Sequence, residues 1–225
     1  IGVEAFQGCT FLSAVSLPQG LKSIYGGAFN DCVRLASVTL PNTLTVIGSG
    51  AFENCALLKH IEIPRRITKI SDRTFLNSGI ETIDFEEGVA KIGEEAFAGT
   101  NIKTVVLPKS VRELSTWAFA ECKSLESVIL NEGLTSVGIQ AFVNDLKLTE
   151  IEISSSVTEL DEMAFGGCNI LQAVKFVGDA PENYRLKEEI REAYETFLPD
   201  YTVYYHKNAT GFTSPEWCGY PTEIW

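Results

Sequence analysis

The sequence has no run of about 18 consecutive apolar residues, so no segment reads as a membrane-spanning helix. Signatures of catalysis are missing as well. There is no H-E-x-x-H, no nucleophile elbow, no G-x-x-x-x-G-K-[ST] loop and no G-x-G-x-x-G loop. No two cysteines stand in C-x-x-C spacing, which removes the usual opening for a zinc site. The two histidines, His60 and His206, fall on separate segments, with no Ser or Cys nucleophile placed beside either. Carboxylate pairs such as Glu86-Glu87 and Glu94-Glu95 carry no weight as an acid/base pair on an acidic chain. The reading is therefore of a non-enzyme without cofactor or metal. The single methionine is Met163, and neither an initiator Met nor a signal peptide is present. The opening Ile1-Gly2 already lies inside the repeat described next, as expected of a processed or truncated piece of a longer protein.

Positive charge is also scarce. Thirty acidic residues face 18 Lys and Arg, a formal net charge of −12. Residues 178–225 hold nine acids and four bases, so the acidity runs along the whole chain and not in a tail alone. Such a surface repels phosphate, which excludes nucleic acid as a partner and otherwise serves solubility. With 45% hydrophobic and 21% charged residues among 225, the chain is long and apolar enough for a substantial core.

What is present is a repeat. Phe recurs at 6, 29, 52, 75, 97, 119, 142 and 165, spaced 22 or 23 residues apart, and Ala precedes all but Phe75. An aliphatic residue sits five positions before each Phe, from Ile1 and Ile24 to Leu160. Downstream come a Leu or Ile (Leu12 to Leu171), then Val or Ile three residues later (Val15 to Val174), then another apolar residue two further on (Leu17 to Phe176). The unit is I-x-x-x-A-F-x-x-C-x-x-L-x-x-V-x-L-P. Its V-x-L segment alternates with period two and is rich in β-branched residues, which predicts a short strand that Pro ends. The A-F-x-x-C segment is expected to form a helical turn on the opposite side. One unit cannot bury its apolar face alone, whereas stacked units can. The units starting at Ile70 and Ile92 are a residue short between the Cys position and the strand, where Ser78 and Thr100 replace Cys. A local change of curvature is the simplest consequence.

This pattern resembles the leucine-rich repeats of the BspA-like family, over eight units in residues 1–177; the Gly211–Pro221 segment also looks like the family's usual terminus. The resemblance implies an α/β repeat solenoid: a right-handed leucine-rich-repeat superhelix with a parallel β-sheet on the concave face. Short helical turns or irregular structure would line the convex face. It also implies a surface or secreted protein of anaerobic bacteria, with adhesion to host components proposed for several members. Asn208-Ala209-Thr210 matches a glycosylation sequon, which carries no meaning in a bacterial chain. Beyond 177 the repeat breaks. Residues 181–197 are expected to form an amphipathic helix and Tyr201–Tyr205 a further strand, so that 178–225 caps the last apolar layer; the alternative is a docking surface made by the aromatic tail.

Cys9, Cys32, Cys55, Cys122 and Cys168 all lie three residues after a repeat Phe, a column interrupted by Ser78, Thr100 and Asp145. Buried thiols are the expected state, with disulfides between neighbouring units or a metal as the alternatives, and Cys218 packed in the cap. The strand residues on either side of the inward Val or Ile should point out. Among them, Val106 and Ile129 are apolar residues on adjacent strands, bordered by Asp84, Glu126, Glu150 and Glu152, with His60 and Glu62 on the same face. An apolar centre with a charged rim suits a contact site for a protein or glycan. The competing view is a casual β-branched choice beside a charge ladder (Lys59, Glu81, Lys103, Glu126), on an architectural spacer. A monomer is expected.

Overall fold

The structure is a computed structural model, which describes residues 1–161, 163–181 and 199–225. The V-x-L segments form the expected strands: β1 (Ala14–Val15), β3 (Ser37–Val38), β5 (His60–Ile63), β7 (Thr82–Phe85), β9 (Thr104–Val106), β11 (Ser127–Ile129), β13 (Glu150–Ile153) and β15 (Ala173–Phe176). Every pairing among them is parallel and in repeat register, for example Val105↔Val128 and Ile151↔Val174. The sheet they make is not continuous. β1 pairs with β3 and β5 with β7, and a third ladder runs from β9 through β11 and β13 to β15; nothing bridges β3 to β5 or β7 to β9.

A second, narrower set of ladders was not legible in the sequence. The aliphatic residue five before each Phe ends a two-residue strand: β2 (Ser23–Ile24), β4 (Val46–Ile47), β6 (Lys69–Ile70), β8 (Lys91–Ile92), β10 (Glu113–Leu114), β12 (Ser136–Val137) and β14 (Glu159–Leu160). β2 pairs with β4, and β6, β8, β10, β12 and β14 form one parallel ladder. Each coil of the solenoid therefore has two strand corners and one turn corner.

The turn corner corrects the expected helical turn. No helix occurs among the described residues, which are all-β with turns. Residues two before each Phe from Phe6 to Phe142, and two after each Phe, take left-handed backbone, as at Gly27 and Asp31 (φ 62° and 58°) or Trp117 and Glu121 (55° and 56°). A left-handed residue every fourth position cannot continue a right-handed helix. Hydrogen bonding alternates instead. The N–H groups of Gly27, Phe29 and Asp31 donate to Ser49, Ala51 and Glu53 of the next coil at 2.9–3.0 Å. Those of Ala28, Asn30 and Cys32 close tight turns onto Tyr25, Gly27 and Phe29 at 3.0–3.2 Å. The turn face is thus a third inter-coil ladder, which satisfies the backbone as a helix would.

Inside, the Phe column forms a continuous stack from Phe6 to Phe165, with centroids 5.2–5.9 Å apart and planes within 13°. Phe29 to Phe165 are buried. At roughly 1.5–3 kcal/mol per buried side chain, this column and its aliphatic neighbours carry the fold. The cysteines follow the same logic. Cys32, Cys55, Cys122 and Cys168 are buried free thiols, each donating to the carbonyl of the Phe one coil earlier at 3.0–3.3 Å. Cys9, expected inside with them, is exposed because it belongs to the first coil, where Phe6 is also 39% exposed.

At the other end, the expected strand is present as β16 (Thr202–Tyr205), paired parallel with β15. Two further strands follow, β17 (Glu216–Trp217) and β18 (Tyr220–Ile224); β18 continues the ladder beyond β16 and β17 closes a hairpin on it. Phe176 packs against Phe212 and Trp217 at 5.2 and 5.7 Å. The helix expected over 181–197 lies, from 182 onward, outside the described residues.

Candidate functional site

The parallel register decides what the sheet face presents. Ile61, Ile83, Val105, Val128 and Ile151 turn inward, and period-two alternation sends their neighbours outward. His60, Glu62, Asp84, Val106, Glu126, Ile129, Glu150 and Glu152 are all exposed. Val106 and Ile129 sit opposite one another across the β9–β11 pair, and Ile129 in turn opposes Glu152 on β13. They expose 55% and 54% of their surface, an apolar centre at the middle of the face.

The charges around this centre are partly neutralised within the face. Lys147 reaches Glu126 at 3.3 Å, and Lys175 reaches Glu150 at 2.7 Å. The hydrogen bond from Lys175 to Glu150 raises the ammonium's pKa above its usual value. Further along, Lys59 meets Glu81 at 2.8 Å, and that bond holds the Glu81 carboxyl below the usual range. His60 does not join the apolar centre. Its Nδ1 lies 2.9 Å from the Thr82 hydroxyl, and its Nε2 lies 3.9 Å from Asp84. Asp84, Glu152 and Glu62 are left as exposed carboxylates of the rim.

Depressions follow the same residues. A hollow of about 670 Å³ lies beside Asp84 and Val106, and shallower ones of about 190 and 360 Å³ lie beside Ile129, Glu126, Glu150 and Glu152. One further hollow, of about 510 Å³, lies on the turn face and was not anticipated. Trp117 walls it, its indole N–H donating to Gln140 at 2.5 Å, above a floor of Ala98, Ala120 and Val143. A sequence signal existed: the outward residue after each Phe changes from Gln7, Asn30 and Glu53 to Leu76, Ala98, Ala120 and Val143.

The interior holds one ionisable anomaly. Asp145 takes the Cys position of its coil, fully buried, and among the described residues neither carboxyl oxygen has a hydrogen-bond partner. Burial pushes its pKa well above the carboxylate range, and burial likewise lifts the Cys55 and Cys168 thiols to about 12. Such thiols are protonated and unreactive. No group of three or more His, Cys, Asp or Glu side chains among the described residues is arranged to hold a metal ion. No helix among them is long and apolar enough to cross a membrane.

Solved structures share this architecture. A leucine-rich repeat protein from Bacteroides ovatus superimposes with a TM-score of 0.72 at 22% identity, covering 100% of this chain and 57% of its own. The chain thus spans little more than half the length of that relative. The T. pallidum leucine-rich repeat protein superimposes with a TM-score of 0.51 at 22% identity, over 65% of this chain and 72% of its own. At these identities the likeness shows the fold alone. No curated protein matches the sequence. The BspA type leucine rich repeat region matches in 6 copies over residues 1–103 and 90–182, the segment that carries the Phe, Cys and V-x-L columns. The chain belongs to the BspA-type leucine-rich repeat family.

Proposed function

We propose that this chain is a non-enzymatic, surface-exposed or secreted binding module that contacts a protein or glycan ligand through its sheet face, taken as the concave side of the solenoid. The observation that carries the reading is the exposed Val106–Ile129 pair, apolar on two bridged strands and rimmed by Asp84 and Glu152. Apolar residues at the centre of a patch with a polar rim supply most of the energy in a typical interface. The family assignment favours binding over catalysis. Surface or extracellular placement, and an adhesion role, follow from the family resemblance.

An architectural spacer is the second reading. It draws on the ion pairs that neutralise much of the face internally, Lys59–Glu81, Lys147–Glu126 and Lys175–Glu150. A glycan array together with pull-down from host matrix, using the wild-type chain and a Val106→Lys/Ile129→Lys variant as baits, separates the two. The binding reading expects a ligand retained by the wild type and lost by the variant. Capture of nothing would favour the spacer, and equal capture by both baits would move the contact away from Val106 and Ile129.

A further inference from the structure

The break in the sheet between β7 and β9 is more than a missing bridge. On their other sides the same two coils are closely stacked: Phe75 and Phe97 lie 5.2 Å apart, β6 pairs with β8, and Phe75 N–H donates to Ala96 at 2.9 Å. The coils part only on the sheet face, and they are the two that lack a residue between Phe and strand. The parting reaches the core. Ile83 and Phe85, inward residues of β7, are only half-buried, whereas Ile61, Ile63, Val105 and Leu107 on the flanking strands are buried. Phe85 is turned edge-on to Phe97, 6.1 Å away. At the other break, between β3 and β5, the inward residues Val38, Leu40, Ile61 and Ile63 are all buried, so no core residue is uncovered there.

The result is a cleft of about 670 Å³ with an apolar floor and two strand edges for walls. Unpaired strand edges present main-chain donors and acceptors that an added extended chain can satisfy. The rim is sided: Glu81 and Asp84 stand on the β7 wall and Lys103 and Lys109 on the β9 wall, while the Glu87 carboxylate closes one end of the cleft by accepting from the Lys109 and Ser110 N–H groups at 3.0 Å. We propose that this cleft receives an extended polypeptide segment of a partner protein. The segment seats an apolar side chain on Ile83 and Phe85 and pairs its main chain with the free edges of β7 and β9. This rests on the sheet face being the contact surface and narrows its ligand from protein or glycan to polypeptide. Charge complementarity sets the rest of the fit. The segment carries a basic side chain toward Asp84 and an acidic one toward Lys103 and Lys109.

The test uses a fluorescein-labelled octapeptide, acetylated and amidated, in which valine alternates with lysine and glutamate in turn. Fluorescence anisotropy of the full chain with this peptide should saturate. Thr104→Trp, which plugs the cleft from an exposed position on β9, should weaken the affinity at least tenfold. Methylating alternate backbone nitrogens of the peptide should weaken it to a similar extent. Glu121→Lys, on the turn face, is the control and should leave the affinity within twofold. No saturable binding, or equal binding of the N-methylated peptide or by Thr104→Trp, overturns the proposal. So does displacement of the peptide by cellohexaose, a neutral extended glycan, which would assign the cleft to sugar. If Val106→Lys/Ile129→Lys abolishes matrix capture while the peptide never binds, the sheet face stands as a contact surface and the cleft assignment falls.

Discussion

Asp145 is the residue whose chemistry fits its place least well. Its column is otherwise filled by Ser78, Thr100 and cysteines, of which Cys32, Cys55, Cys122 and Cys168 each donate a thiol proton to a Phe carbonyl. A carboxylate has no proton to donate there, and burial without a partner costs about 1–3 kcal/mol. The Cys122 backbone opposes the effect of burial only in part, and the adjoining column side chains are the protonated Cys122 and Cys168. In the unfolded chain Asp145 titrates near 4. In the folded state its pKa is raised, so above about pH 4 the native protein holds a proton that the unfolded chain has released. Stability from this site is therefore greatest below about pH 4 and is lost as pH rises towards the folded pKa. Asp145→Cys should stabilise by about 1–3 kcal/mol at pH 7, with the gain shrinking towards pH 4, as measured by urea unfolding of both forms at each pH. A variant no more stable than wild type at pH 7 would mean the carboxyl is satisfied. At this scale the sequence was informative about direction: period-two alternation placed seven of the eight sheet-face residues outward, and Glu126 lies at the entry to β11. Cys9, in the first coil of the structure, is the exposed member of its column.

At the scale of elements, the strands were legible and the turns were not. V-x-L alternation marks a half-buried strand. A-F-x-x-C has the i, i+3 spacing of a helical turn, and that spacing alone does not distinguish a helix from two tight turns in succession. The distinguishing signal is the position two after each Phe: Gly8, Asp31, Asn54, Asn77, Gly99, Asn144 and Gly167, with Glu121 the exception. Gly, Asn and Asp are the residues that tolerate left-handed backbone. Asn144 is at φ 60°, and its N–H donates to Gly166 of the next coil at 2.8 Å. Asn144→Val, which puts a β-branched side chain there, should cost about 1–2 kcal/mol in thermal or urea unfolding, while Asn144→Gly should stay within a few tenths. Equal tolerance of both would argue that the turn corner is not left-handed. The second ladder escaped notice because two-residue strands are too short to show alternation. The two short units marked where the solenoid would change, as a local change of curvature, but not that the sheet would part between β7 and β9, which depends on how the two coils pack.

At the scale of the whole molecule, a solenoid has two ends and an uninterrupted side, and each makes its own demand. The C-terminal end is covered by β16 and β18, with Trp217 and Phe212 against Phe176. We read residues 178–225 as a cap on that basis. Ending the chain at 177 uncovers Val174 and Phe176, each worth roughly 1.5–3 kcal/mol when buried, and should cause aggregation or a loss of several kcal/mol. A soluble truncation with an unchanged melting temperature would make the tail an appendage. The side is where function is decided. Val106→Lys/Ile129→Lys on the sheet face and Glu121→Lys on the turn face each add two units of positive charge, and Val106, Ile129 and Glu121 are all exposed. Substitutions of this kind usually alter stability within about ±0.5 kcal/mol, so both variants should melt near wild type. The most direct measurement is the equilibrium affinity of these two variants and the wild type for the ligand retained from host matrix. Val106→Lys/Ile129→Lys should lose at least tenfold in affinity and Glu121→Lys should lose none. The reverse pattern, loss at Glu121 with an unaffected sheet face, would move the site to the hollow beside Trp117 and contradict the sheet-face reading.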